Sequence, residues 1–390
     1  MSVEGTDGDL SEILREALQS EGGEGPNLRQ IIREELGHEI ESCDISEAIS
    51  SYLESRKEEL RASSLDQHRS GLQPLDVFCD EQDIQETTDL TANKLIDYKT
   101  WRKEEAPVKV DTLSKSSLKT QMSILRVFLE HCEKRNLVRQ GLHEAVPHIN
   151  LETHEEARDD ILPKERADRI VGYLHKFAYA NRVHIIWLIL TETGIRLGTL
   201  VSLDLDDYER DGDEGKFHLQ HRPETETPLK NGQKGERTVT LPARVCDAID
   251  AYVSENRHGV VDDYGRRPLI TTRKGRPATS TIRKYVYEWS RPCEVGQDCP
   301  YGREPEECEA TKNNAANQCP SSRSPHTIRR GYITHQLNNG VYSKYVSGRC
   351  DVSEEVIEKH YDARSEDEKA EARWRAFESA RKDSEPHGGK

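Results

Sequence analysis

The sequence predicts a mainly α protein with a small antiparallel β-sheet, divided into two domains. Three observations predict it. Its 390 residues exceed what one compact core usually holds. Apolar residues recur at helical spacing along most of the chain, and only two neighbouring segments, 217–221 and 237–241, read as strands.

Taken in order, Leu10, Ile13, Leu14 and Leu18, then Leu28, Ile31, Ile32 and Leu36, form two short stripes separated by the Gly-rich residues 21–26. They predict generic amphipathic helices in a flexible extension over residues 1–43. Residues 44–140 predict a small helical domain with helices at 45–62, 64–79, 91–103 and about 114–135. The second is expected to break near Pro74, because proline lacks the N–H a helix interior needs. The fourth carries Leu118, Met122, Leu125, Phe128 and Leu129 on one side. A polar, Glu-rich stretch broken by Pro147 marks a linker over 141–157.

A second domain is expected over 158–365. It opens with helices at 164–176 and 183–193; Gly194 ends the latter, and a short helix follows at 196–203. The two strand-like segments flank a polar Pro/Lys/Gly turn, which suggests a hairpin. Helices are expected again at 243–255, 279–289, 327–338 and 354–360. Residues 366–381, with Ala370, Trp374, Phe377 and Ala380 along one side, predict a last helix before the tail to 390.

Basic residues number 56 against 72 acidic ones, a net charge of -16 that in bulk repels nucleic acid and anionic membranes. Acid excess, 35 Arg to 21 Lys and only 34% hydrophobic residues resemble the composition of halophilic proteins. At molar salt the Debye length falls to about 3 Å, so net charge then says little about partners. Local charge says more. Residues 265–287 hold Arg266, Arg267, Arg273, Lys274, Arg276, Arg283 and Lys284 without one acid, and residues 321–350 hold Arg323, Arg329, Arg330, Lys344 and Arg349, again without one. Those seven and Arg330 are the candidate phosphate contacts, with ordinary solvated faces as the alternative. No apolar run approaches the 18 or so residues a bilayer demands, the longest being 185–190, and the acidic N-terminus does not look like a secretory signal. A soluble cytoplasmic protein without a membrane partner is expected.

The chemistry-bearing residues form an ordered series: Thr193-Gly194-Ile195-Arg196, Lys230 between the strands, His326-Thr327-Ile328-Arg329-Arg330, and His360-Tyr361. With these landmarks the chain resembles the tyrosine recombinase, or phage integrase, family over roughly residues 45–380. The resemblance implies an N-terminal helical DNA-binding domain and a catalytic domain that clamp duplex DNA. It also implies a site-specific recombinase that cleaves and rejoins strands through a 3′-phosphotyrosine, in integration, excision or resolution, with four copies on paired sites. Tyr361 is then the nucleophile. Arg196 and Arg329 grip the non-bridging oxygens, and His326 handles the tyrosine's proton. Lys230 protonates the departing 5′ oxygen, although Lys234 is close enough in sequence to compete, and Arg349 adds a phosphate donor. No metal or ATP is implied for that chemistry. The last helix then docks on a neighbouring copy or on its own domain.

Three features depart from the family pattern: Thr199 stands where an acid is common, Gly348-Arg349 where Gly-His or Gly-Trp is usual, and a cysteine-rich insert precedes His326. Arginine donates but cannot shuttle protons near neutral pH. A type IB topoisomerase-like relaxation and a DNA-binding protein without catalysis are the rival readings.

Of nine cysteines, Cys293, Cys299, Cys308 and Cys319 fall in one insert, 293–319, separated by five, eight and ten residues. Four thiolates in a polar loop suit a structural zinc, but the spacing has no C-x-x-C pair, so free or transiently oxidised thiols compete with it.

Overall fold

The computed structural model describes residues 40–104, 113–151, 161–312, 314–361 and 366–384. The chain divides into two compact units, with the boundary at Arg158 and Asp159. The two N-terminal stripes lie outside the described residues.

The first unit is helical. Asp44 accepts the Glu47 N–H at 3.0 Å and so starts α1 (Ile45–Ser55). Then come α2 (Ala62–Glu81), α3 (Ala92–Glu104) and α4 (Lys115–Lys134), the last capped by Ser114. Tyr52, Leu72, Phe78, Tyr98, Met122 and Phe128 fill the core between them. Two expectations are corrected. The first helix stops at Ser55 instead of 62, and α2 runs unbroken through Pro74. Leu72, Leu75 and Phe78 are buried to either side of that proline, and their packing offsets the missing hydrogen bond. Leu142 and Val146 are also buried here, so the expected linker stays with this core through its first residues.

The second unit is built around α6 (Arg182–Thr193), which buries Ile185, Ile186, Trp187, Leu188, Ile189 and Leu190. A helix apolar on all sides is a central helix, and α5 (Lys164–Phe177) packs beside it. Gly194 ends α6 at φ 63, and a Cβ there would meet the Tyr332 ring at 2.3 Å. Only glycine meets both demands. The chain re-enters α7 (Leu197–Ser202) with Arg196 at its N-cap.

The sheet is antiparallel in the order β1 (Tyr208–Asp211), β2 (Glu214–Leu219), β3 (Arg237–Pro242). Phe217 pairs with Tyr208 on one side and Val239 on the other, and Gly215, Phe217 and Leu219 alternate inward. The sequence did not predict β1, whose residues are mostly exposed and polar. Nor is the β2–β3 connection a tight hairpin: residues 220–236 make a long excursion with two single 3-10 turns.

Helices α8 (Ala243–Ala251), α9 (Thr279–Trp289), α10 (Pro325–Asn338), α11 (Ser343–Cys350), α12 (Glu354–His360) and α13 (Glu366–Ser384) complete the unit. The sequence did not predict α11 either. Ile333, Leu337, Val346, Cys350, Val352, Ile357 and Tyr361 form a separate small core that binds α10, α11 and α12 together. Among the described residues no helix is long and apolar enough to cross a membrane.

One close approach fixes α10. A Cβ on Gly331 would lie 2.0 Å from the Leu162 carbonyl oxygen, a backbone atom that cannot step aside. Gly331→Ala is therefore expected to destabilise the second unit by about 3 kcal/mol, the upper end of overpacking costs. Urea denaturation checks this, and an unchanged midpoint would contradict the packing.

Candidate active site

Helix α10 delivers the first candidate side chains. Ser324 caps it, and Pro325 at its first turn suits a helix start. Arg329, on the inward side, is 4% exposed; its Nη1 donates to the Gly194 carbonyl at 2.8 Å and its Nη2 to the Asp351 carbonyl at 3.4 Å. The turn that glycine makes possible thus holds one arginine and leads into the next. Arg196, half-buried, forms an ion pair with the Asp351 carboxylate.

Asp351 follows α11 at φ 54 and is a hub of the site. Its other carboxylate oxygen accepts from Asn231 Nδ2 at 2.8 Å, in the excursion that also carries Lys230. Lys230 is exposed and adjoins that bond; Lys234 is exposed as well, beside Gly235.

A third guanidinium joins them. Arg237, the first residue of β3, donates from Nε to the Arg349 carbonyl at 2.8 Å and from Nη1 to the Gly235 carbonyl at 2.7 Å. Its buried Nη2 has no hydrogen-bond partner among the described residues. Burial pushes its pKa down to about 10, with Asp351 and Cys350 acting the other way and Arg329 and Arg196 adding to the fall. Burial likewise lowers the Arg329 pKa. Three arginines therefore stand together with Asp351 as the carboxylate among them, and this excess of positive charge suits an anion.

Tyr361 closes α12. Its side chain is 9% exposed, and its ring lies 5.7 Å from the Arg330 guanidinium carbon. His326 stands exposed in the first turn of α10. Desolvation by the surrounding atoms, then the charges of Arg329, Arg330 and Arg196, hold its pKa below the ordinary value. The lowered pKa favours the neutral imidazole, the form that can accept a proton.

Arg349 is bound within the protein. Nε donates to the Tyr332 hydroxyl at 2.8 Å, Nη2 to the Thr240 carbonyl at 3.0 Å and the Glu192 carbonyl at 3.3 Å, and Nη1 to the Thr240 hydroxyl at 3.4 Å. It ties α11 to β3 and α6, and its own carbonyl positions Arg237. Thr199 is buried in α7.

The basic window divides. Arg266 and Arg276 are turned inward: both pair with Asp204, Arg276 also with Asp262 at 2.7 Å, and Arg276 Nη1 donates to the Val201 carbonyl at 2.7 Å. These contacts engage guanidinium donors that the sequence assigned to phosphate. Arg273 and Lys274 project from an exposed turn closed by Thr272 and Gly275, and Arg283 is exposed on α9. Arg267 is exposed with a surface pair to Asp206, and Lys284 is half-buried. Such surface pairs are weak, at about 0 to 1 kcal/mol, and phosphate can compete with them.

Cys293, Cys299, Cys308 and Cys319 line one cavity of about 20 Å³, with Arg291 and Arg303 beside them. Among the described residues no three His, Cys, Asp or Glu side chains are grouped so that they could hold a metal ion as they stand.

Sequence reasoning missed Arg237, Asn231 and Asp351. Asp351 is the first acid after the acid-free stretch 321–350, which was the available signal; Arg237 looked like an ordinary strand residue.

No protein-family model matches the chain, and no curated protein shows significant sequence similarity to it. Solved structures do match in fold. A lambda integrase dimer bound to a COC′ core site aligns with a TM-score of 0.59 at 12% identity, covering 93% of this chain and 89% of that one. The XerH site-specific recombinase bound to its difH substrate gives 0.55 at 12% identity, covering 93% and 94%. A Tn1549 transposon integrase in complex with transposon right-end DNA gives 0.55 at 13% identity, covering 86% and 99%. The mainly helical second unit with its three-stranded antiparallel sheet therefore has the fold of tyrosine recombinase catalytic domains.

Proposed function

We propose that the protein is a site-specific DNA recombinase that cleaves and rejoins duplex DNA through a 3′-phosphotyrosine. The observation that carries the reading is the group of Arg196, Arg237 and Arg329 around Asp351, with His326 on the helix that bears Arg329, Lys230 next to the Asn231 that bonds Asp351, and the Tyr361 ring against Arg330. The fold shared with DNA-bound integrases supports it.

In this reading a scissile phosphate enters the arginine group and competes with Asp351 for Arg196. Tyr361 Oη attacks phosphorus while His326 takes its proton, and the bond to the 5′ oxygen breaks. The arginines offset the charge that builds on the non-bridging oxygens. Lys230 gives the leaving oxygen its proton. Because the phosphotyrosine conserves the phosphodiester's energy, attack by a new 5′ hydroxyl completes the exchange without ATP. Arg273, Lys274 and Arg283 supply phosphate contacts outside the centre. Four copies act on paired sites, and the apolar side chains Trp374 and Phe377, exposed on α13, suit contact between copies. The acidic composition is read as an adaptation to high salt. Incubation with genomic fragments, followed by sequencing of covalently captured ends, tests the activity and identifies the target; absence of any adduct would favour DNA binding without catalysis.

The general acid has its own test. A substrate with sulfur at the 5′ bridging position has a leaving group that needs no proton. Lys230→Ala is expected to slow the oxygen substrate strongly and the sulfur substrate little, whereas Lys234→Ala shows no such selectivity. The reverse pattern would transfer the role to Lys234.

A further inference from the structure

The insert between α9 and α10 has little to fold around. Between residues 290 and 321 the described chain consists of loops and three single 3-10 turns, Pro292–Val295, Glu309–Thr311 and Ala316–Gln318. Its buried hydrophobic side chains are Val295, Ala310 and Ala316. So small an apolar area does not by itself offset the entropy of ordering such a segment. The buried Arg291 adds a tether, with Nη1 donating to the Ala310 carbonyl at 2.6 Å.

What the insert brings together is sulfur. Cys293, Cys299, Cys308 and Cys319 come from four separate stretches of it, yet all line the same cavity of about 20 Å³. That volume admits about one water-sized occupant. Four thiolates around one divalent cation leave two net negative charges; Arg303 lines the same cavity, and Arg291 beside it is paired with Glu294.

We propose that these four cysteines bind one structural Zn²⁺ with tetrahedral sulfur coordination. As they stand the side chains do not meet in ligating geometry, so loading draws the thiolates inward and closes the cavity, with release of their protons. The consequence reaches the active site through backbone. Arg166 Nη2 donates to the Ser290 carbonyl at 2.6 Å and to the Ser321 carbonyl at 2.5 Å, and the Arg323 N–H donates to Ser290 Oγ at 2.7 Å. The two ends of the insert are thus pinned together immediately before Ser324, the cap of the helix that carries His326 and Arg329. A metal knot here fixes the start of α10.

The test uses the full chain, purified under reducing conditions. Elemental analysis is expected to find about one zinc per chain, and replacement by Co²⁺ is expected to give the thiolate charge-transfer and tetrahedral ligand-field bands of a four-sulfur site. Cys299→Ser with Cys308→Ser should remove the metal and these bands, whereas Cys43→Ser, in the first unit, should keep both. Should the double variant fail to fold, the Co²⁺ titration of the unaltered protein still decides. A reduced protein that takes up neither metal, cobalt spectra without sulfur charge transfer, or two disulfides among these cysteines under the same conditions would each overturn the proposal.

Discussion

Tyr361→Phe is expected to abolish the covalent protein–DNA adduct completely while leaving DNA affinity within a factor of about two, since it changes no charge. The substitution removes one oxygen from a side chain that is otherwise held by packing. Tyr361 sits in the small core with Ile333, Leu337 and Ile357, and its ring faces Arg330, so phenylalanine keeps both the apolar contacts and the cation–π contact. Denaturing gel electrophoresis after incubation with a nicked substrate reads the adduct, and filter binding reads affinity. An adduct formed by the phenylalanine variant would assign the nucleophile elsewhere.

The arginines give the second large effect. Arg196→Ala and Arg329→Ala are each expected to reduce the cleavage rate by on the order of 10²-fold or more, the scale for losing a preorganised donor to a charged transition state. Their effects on folding should differ. Arg329 is buried and holds the Gly194 carbonyl, so its loss leaves an unsatisfied acceptor and a cavity, and a lower Tm should accompany the lost rate. Arg196 is partly exposed and pairs with a carboxylate that Asn231 still holds, so its variant should keep most of its stability. Single-turnover cleavage measured beside thermal denaturation separates the two. Near-normal cleavage by either variant would remove that arginine from the proposed centre.

Much of the secondary structure was legible because its signals are local. Asp44, Ser114, Asn181, Ser324 and Ser353 each accept a backbone N–H at a helix start, and such caps can be read from a few residues. The apolar run in α6 announced a buried helix, and the inward alternation of β2 announced a strand. The failures came where packing overrides local preference. Pro74 lies inside a continuous helix because the core on both sides holds it there. The strand β1 carries polar residues and exists because β2 supplies its hydrogen bonds.

The sequence by itself determined the mainly helical fold class with its small antiparallel sheet, and the order of Arg196, Lys230, His326, Arg329 and Tyr361 that marks the candidate chemistry. Only the tertiary structure decided how charge is distributed among them. Asp351 meets Arg196 across 155 residues of sequence, Arg237 reaches the carbonyl of Arg349 across 112, and Arg266 and Arg276 both pair with Asp204. Hydrogen-bond and ion-pair geometry depends on distances of a few ångströms between residues far apart in the chain. Periodicity and spacing carry no record of those distances, because the helices that set them are placed by the burial of apolar side chains elsewhere in the core.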